Sequence, residues 1–400
     1  MGIPHILRNL HNGKLPLKIT SLETDVNFSD YKQITNGKLQ YIGIDGAVFI
    51  HSHIIKNNNN ETVNIKKSSI EIGSTILKYI QVILLLFNKF KEVEEEGNVI
   101  IHFVVDGLPP RKKNRRAFID ENGNFNYIKQ DAYTTMTGEK KHELHKKIIF
   151  YLIKYLQPIN YNNNKDHQIE ITDIFQNTKF TLLTNHKVKP SQRGEGEISL
   201  YKMCTALNQK KTDSKNVIIS SDSDLLSLIL MHDDQNSILI LPSVNRHTDI
   251  YMTNYNLVKK NLHLESHGQI IKYVLLHFIL FGSDYNWGLM TNPNDSKQKI
   301  IYETVRYDKD ANIDAICRQC PRKRKKKSPK GNNNNDEDNS CLERDHEFLE
   351  HFKNLLIYEA LCAFMYYYDI QNGSQYIQTF SPCLYINCPD MKHLIPYLNF

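Results

Sequence analysis

The chain has 400 residues, room for two or three domains of roughly 100 to 200 residues each. With 40% hydrophobic and 24% charged residues it can build a sizeable core, which excludes a disordered or fibrous chain. The 50 Lys+Arg and 44 Asp+Glu leave a formal charge of only +6, so any preference for a polyanion must come from how charge is distributed.

The amino terminus, Met1 to Arg8, meets charge by its eighth residue and has no extended apolar region, and Ile6 stands where a myristoylation motif needs Ser or Thr; neither secretion nor a lipid anchor is expected. Leu39 to Ile44 reads as a short apolar strand ending at Asp45. Ile70 to Phe90 carries Ile72, Ile76, Ile80, Ile83, Leu84 and Phe87 at helical spacing. Val99 to Val105 is a continuous β-branched run ending at Asp106, and Glu139 to Leu156 an amphipathic helix with Lys on its polar face. Glu197 to Leu207 is predicted helical, Val217 to Ser220 is a buried strand before Asp222, and Leu225 to Met231 resumes a helix. Ser237 to Leu241 is another strand and His267 to Phe281 another helix. This alternation predicts an α/β fold, a mostly parallel central sheet flanked by helices.

The longest apolar runs, Ile80 to Phe87 and Tyr273 to Phe281, fall well short of the roughly 18 residues a membrane helix needs, so no membrane association is expected. Asn runs at 57–60, 162–164 and 332–335 read as surface loops. The basic run Arg322 to Lys327 and the acidic residues up to Asp338 read as a charge-segregated linker. The expected division is a core over 1–305, a basic, Asn-rich disordered linker over 306–345, and a C-terminal segment over 346–400. In that last segment Glu347 to Tyr368 forms a helix packing on the core. Seven scattered cysteines read as reduced thiols of an intracellular protein, nuclear or cytoplasmic. Cys317 and Cys320, with Cys341, Cys383 and Cys388 beyond, leave zinc as the alternative to free thiols. The run at 322–327 is open between a nuclear import signal, a nucleic-acid tether and solvated linker. Trp287 is either core or a base platform.

In an open parallel sheet, functional residues gather beyond the carboxyl ends of the strands. Asp45, Asp106 and the pair Asp222 and Asp224 fall there. Glu195 and Glu197 come from Arg193-Gly194-Glu195-Gly196-Glu197, whose glycines permit a tight turn into a helix, and Asp284 closes the apolar helix in FGSDY. An isolated Asp after a strand is ordinarily a turn former or helix cap. A convergent set is different, because neighbouring carboxylates raise each other's pKa unless cations neutralise them. Hard oxygen donors favour Mg²⁺ or Mn²⁺ over zinc, and two such ions about 4 Å apart suit attack of water on a phosphodiester. Directly after Asp106 comes the basic run Arg111-Lys112-Lys113-Asn114-Arg115-Arg116. Alone it would be a solvated helix start or an import-like run; beside an acidic cluster it reads as a phosphate-binding element.

The segments MGIPHILRNL, YIGIDGAVFIHSH, FVVDGLPPRKKNRRAF, RGEGEISLYKM with IISSDSDLLSLIL, and ILFGSDY occur in this order over about residues 1 to 290. Together they resemble the metal-dependent 5′ nucleases, the superfamily with a PIN-like core that includes XRN 5′-to-3′ exoribonucleases and flap endonucleases. The resemblance implies that Asp45, Asp106, Glu195, Glu197, Asp222, Asp224 and Asp284 form a two-metal site with Gly2 close to it. MGIP, GEGE, DLLSLIL and DGLPPR are more similar to XRN than to flap endonucleases, and His51 matches a base-stacking His of XRN enzymes. Lys113 matches their phosphate-binding Lys, and Arg115 and Arg116 resemble their Arg pair. That pair stands about five residues closer here, a rotation of roughly 140° around a helix, and the accompanying Gln is absent, so a strict 5′ monophosphate requirement is not implied. After Asp284 the Gly-rich hairpin of flap endonucleases is missing, although Lys297 and Lys299 offer phosphate contacts.

The expected function is therefore a Mg²⁺- or Mn²⁺-dependent nuclease acting on single-stranded RNA or DNA with a free 5′ end, most similar to an XRN-like 5′-to-3′ exoribonuclease. Lys113, Arg115 and Arg116 would stabilise the scissile phosphate, His51 would stack on a base, and Arg111, Lys112 and Gly2 would contact substrate. The alternatives are a structure-specific flap endonuclease acting on DNA and a non-catalytic nucleic-acid-binding relative. Retention of all seven carboxylates argues for activity.

Overall fold

A computed structural model describes residues 17–19, 34–57, 63–88, 98–107, 117–119, 125–127, 136–156, 179–209, 214–242, 250–283, 285 and 360–372. The chain divides into two compact units, Leu10–Val258 and the combination of Met1–Asn9 with Lys259–Phe400.

In the first unit the aliphatic runs become strands because their side chains are buried on both faces of the sheet. In β2 (Lys38–Asp45), Tyr41, Ile42 and Ile44 are fully buried, as are Val217, Ile218 and Ile219 of β7 (Ser214–Ile219). With β1 (Leu17–Ile19), β3 (Asn98–Val104), β6 (Lys179–Thr184), β8 (Ser237–Pro242) and β9 (Ile250–Asn254) they form a seven-stranded sheet of order β1-β9-β8-β7-β2-β3-β6. A separate antiparallel pair joins β4 (Ala117–Ile119) to β5 (Phe125–Tyr127).

The five strands from β6 to β8 are parallel, as the strand and helix alternation predicts. At the other edge β9 runs antiparallel to β8, and β1 antiparallel to β9. The reason lies in the connection: only residues 243–249 separate β8 from β9, too few for the crossover of about a dozen residues that a parallel neighbour requires.

Helices α1 (Gly46–Asn57), α2 (Ile65–Asn88) and α3 (Gly138–Leu156) cover one face of this sheet. Ile72, Ile76, Ile80 and Ile83 of α2 and Leu144, Ile148, Leu152 and Leu156 of α3 share a buried cluster with Ile42, Ile44, Ile101, Phe103, Val217 and Ile219 of the strands. The helical spacing read from the sequence is thus the spacing that meets the core. After the short helix α4 (Pro190–Arg193), α5 (Gly196–Asn208) lies on the opposite face, where Leu200 approaches Gly43. Helix α6 (Ser223–Met231) is buried all round, and α7 (Tyr255–Asn261) follows β9.

In the second unit α8 (His267–Phe281) begins with a capping box in which Ser266 and Gln269 satisfy each other's backbone amides. Residues 360–368 are helical, and Phe364 and Tyr367 pack on Phe278 with ring centroids 5.8 Å apart in each pair. The remainder of the expected helix, 347–359, lies outside the described residues, as do the linker, Trp287, Lys297, Lys299 and the cysteines at 317, 320, 341, 383 and 388. Among the described residues no helix is long and apolar enough to cross a membrane.

Candidate active site

Parallel register brings the strand ends level. Asp45 stands opposite Val104, and Ile44 opposite Ile219, so Asp45, Asp106 and Ser220 emerge together at the carboxyl edge. Asp45 is buried at the junction of β2 and α1. Its Oδ1 accepts a 3.0 Å bond from the Ala47 amide, and its Oδ2 accepts one of 2.7 Å from the Ser220 hydroxyl. Its pKa is raised from 3.8 to about 7, by burial first and then by the charges of Asp106 and Asp222, with the Ser220 and Ala47 bonds acting in the opposite direction.

The end of β3 is pinned on both sides. Asn185, just beyond β6, accepts from the Val105 amide at 3.0 Å and donates to the Val105 carbonyl at 2.8 Å. The Gly107 amide donates to the Gly194 carbonyl at 2.8 Å, and the Gly196 amide donates to Asp106 Oδ1 at 2.9 Å. The two glycines of Gly-Glu-Gly-Glu are there for different reasons. Gly194 has φ of 68°, a conformation that costs any residue with a Cβ. At Gly196 a Cβ would lie 2.8 Å from that same Asp106 oxygen, so close approach of backbone to carboxylate is what excludes a side chain.

Glu195 occupies the N-cap position of α5 and Glu197 sits in its first turn; both are buried, at the positive end of the helix dipole, which favours negative charge. Asp222 caps α6, accepting from the Asp224 amide at 3.1 Å, while its own amide donates to Ser220 Oγ at 3.0 Å. Glu197, Asp222 and Asp224 each offer a carboxylate oxygen, and these oxygens lie within 4.8 Å of one another. Asp222 is therefore both a helix cap and a member of a carboxylate cluster.

Six of the seven predicted carboxylates thus belong to this edge of the first unit: the clustered Glu197, Asp222 and Asp224, Asp45 and Asp106 coupled by charge, and Glu195 between the two glycines. Asp284, Gly2, Arg111, Lys112, Lys113, Arg115 and Arg116 lie outside the described residues. His51 is half-buried in the second turn of α1. Sequence reasoning missed Ser220 and Asn185. Ser220 was visible as the polar residue closing an apolar strand, whereas Asn185 carried no signal apart from following β6.

An all-carboxylate donor set of this kind suits a hard divalent cation. Mg²⁺ and Ca²⁺ hold oxygens at about 2.0 to 2.6 Å, so ligands on opposite sides of one ion stand about 4 to 5 Å apart, which is the span of the cluster. No His or Cys belongs to the cluster, which disfavours a zinc site.

No family model matches the chain, and no curated protein matches it in sequence. Among solved structures it is similar to the catalytic core of Rad2 in complex with DNA substrate, at 13% identity and a TM-score of 0.39 over 76% of this chain and 67% of that one. It is also similar to the bacteriophage T5 D15 flap endonuclease, at 13% identity and a TM-score of 0.33 over 84% and 99% of the two chains. Flap endonuclease-1 from Methanococcus jannaschii is 15% identical, with a TM-score of 0.32 over 76% of each chain. At these values the likeness is no basis for assigning this chain's chemistry, which rests on its own strands and carboxylates.

Proposed function

We propose that the protein is a divalent-metal-dependent 5′ nuclease that hydrolyses phosphodiesters of single-stranded nucleic acid from the 5′ end, and that it is an XRN-like 5′-to-3′ exoribonuclease of the nucleus or cytoplasm. The observation that carries this reading is the approach of Glu197, Asp222 and Asp224 at a strand-end edge where Asp45 already feels the charges of Asp106 and Asp222. So many carboxylates in one place are costly unless cations occupy them. The ordered motifs of the sequence point the same way.

In this reading Asp45, Asp106, Glu195, Glu197, Asp222, Asp224 and Asp284 hold two Mg²⁺ or Mn²⁺ ions. Bound there, such ions neutralise phosphate charge, lower the pKa of a water and stabilise the leaving oxygen. The protein's own part is positional. Ser220 Oγ and the Ala47 amide fix both oxygens of Asp45, and the Gly196 amide fixes one oxygen of Asp106. Lys113, Arg115 and Arg116 carry the compensating charge toward the scissile phosphate. Arg111, Lys112 and Gly2 contact the strand, and His51 stacks on a base.

The substrate class is tested by incubating the purified protein and Mg²⁺ with single-stranded RNA, single-stranded DNA and a 5′ flap duplex, each with a 5′ phosphate or hydroxyl. The expected result is progressive shortening of RNA from its 5′ end. Preferred cutting at the flap junction would replace the exoribonuclease assignment with a DNA endonuclease, and binding without cleavage of any substrate would leave a non-catalytic nucleic-acid-binding protein.

A further inference from the structure

The outer face of α3 carries a second chemical pattern. His142, Lys146, Phe150 and Lys154 follow one another at four-residue spacing, and all four are exposed. Residues four apart on a helix are neighbours, so these form one stripe about 18 Å long at 1.5 Å per residue. Phe150 is 60% exposed, more than Ile70 at 45% or Val188 at 41%, the other large exposed hydrophobics among the described residues. Its ring is flanked by a cation on either side along the stripe. Lys146 Nζ stands 5.8 Å from the Phe150 ring centre, and Lys154 Nζ stands 5.5 Å from that of Tyr155.

The stripe begins beside the acidic edge. The His142 ring stacks on that of His186, just beyond β6, at 6.3 Å and 27°. The His186 carbonyl accepts a 2.6 Å bond from Arg193 Nη2, and Arg193 precedes Glu195 by two residues. The local field is positive: burial lowers the pKa of His186, and the charges of Lys187, His142, Arg193 and Lys146 lower it further. Of the acidic residues in the first turns of α3, Glu143 is neutralised by Lys147 at 2.7 Å. Glu139 lies three residues before His142, in the first turn.

An exposed ring between two lysines, leading away from an acidic edge, is poorly suited to an apolar partner and well suited to a chain of alternating bases and phosphates. We propose that this stripe is a track for single-stranded nucleic acid outside the active site, with a base stacked on Phe150 and phosphates against Lys146 and Lys154. It deepens the nuclease reading, on which it rests for the kind of ligand, and it makes affinity depend on strand length.

The test is fluorescence anisotropy of labelled single strands in EDTA over a range of salt, using strands of about 20 nucleotides and of about four, chosen to bracket the usual footprint of such sites. Phe150→Ala should weaken binding of the long strand about tenfold, and Phe150→Trp should restore it. Lys146→Ala/Lys154→Ala should flatten the dependence of log K on log salt by about 1.4, two phosphate contacts' worth. Binding and Mg²⁺-dependent cleavage of the short strand should not change. Unchanged long-strand affinity and salt dependence in both variants, at unchanged melting temperature, would overturn the track, as would failure of the wild-type protein to bind either strand. Loss of long-strand binding in the variants of a protein that cleaves nothing would support the track while sinking the nuclease reading.

Discussion

The Ser220 hydroxyl donates a 2.7 Å hydrogen bond to Oδ2 of Asp45, tying together the ends of two neighbouring parallel strands. Ser220 Oγ in turn accepts the Asp222 amide at 3.0 Å, so one serine orients a carboxylate on β2 and sets the start of α6. Ser220→Ala should therefore weaken Mn²⁺ binding by about 10 to 100-fold, the usual cost of removing a partner that orients a ligand. Calorimetric Mn²⁺ titration checks this; equal affinities would show that Asp45 needs no such orientation.

Asp45 itself should trade stability for function. Its folded pKa of about 7 against an ordinary 3.8 means that the native chain keeps a proton the unfolded chain gives up. The stability of the metal-free protein should thus fall as pH rises from about 4 to about 7. Asp45→Asn removes the penalty and should stabilise the metal-free protein at pH 8 by on the order of 1 to 3 kcal/mol, with little effect near pH 4. Urea denaturation in EDTA at the two pH values measures it; a destabilised variant at pH 8 would show that the carboxylate is not under the strain described.

Gly196→Ala should push Asp106 away from the α5 amide, because the added Cβ would lie 2.8 Å from Asp106 Oδ1. The expected cost is about 1 to 3 kcal/mol of stability, the range for overpacking or for a buried polar group losing its partner. Gly194→Ala should cost about 1 kcal/mol for a different reason, its positive φ. Thermal melts of the two variants check both, and a wild-type melting temperature for Gly196→Ala would contradict the close approach.

Much of this edge was legible because the strands leading to it end in apolar runs. β2, β3 and β7 end in Asp45, Asp106 and Asp222 within a residue or three of their apolar runs, and parallel strands of matching register must present such residues together. Gly-Glu-Gly-Glu was legible too, since glycines before a helix announce an unusual turn. β6 was missed: its Lys179-Phe180-Thr181 start is polar and follows a long Asn-rich stretch, and the strand sits at the sheet edge where half-exposed side chains suffice. The antiparallel β9 depended on the length of a connection, not on any residue type. Ser220 and Asn185 act through bonds to residues 175 and 80 positions away, a relation that no local pattern encodes.

The histidines of the first unit predict an acid limb. Burial, with the charges of Arg193, His142, Lys141 and His186, pushes His145 down from 6.5 to about 3. The unfolded chain takes up a proton below pH 6.5 that the native chain refuses, so stability should fall as pH drops from 6.5 toward 3, by up to about 1.4 kcal/mol per pH unit for this group. His102, lowered by burial to about 4, acts in the same direction. His145→Leu should flatten the slope between pH 6.5 and 5 in urea denaturation; an unchanged slope would mean that His145 is protonated in the native state.

The acidic edge as a metal-dependent phosphodiester site is tested most directly by single-turnover cleavage of 3′-labelled single-stranded RNA in Mg²⁺, comparing the wild-type protein with Asp224→Asn. Asp224 is fully buried beside Glu197 and Asp222, and the amide preserves its shape while removing its charge. A fall in rate of about 10³-fold or more, with strand binding in EDTA unchanged, is the predicted result. Equal rates for the two proteins would contradict the assignment.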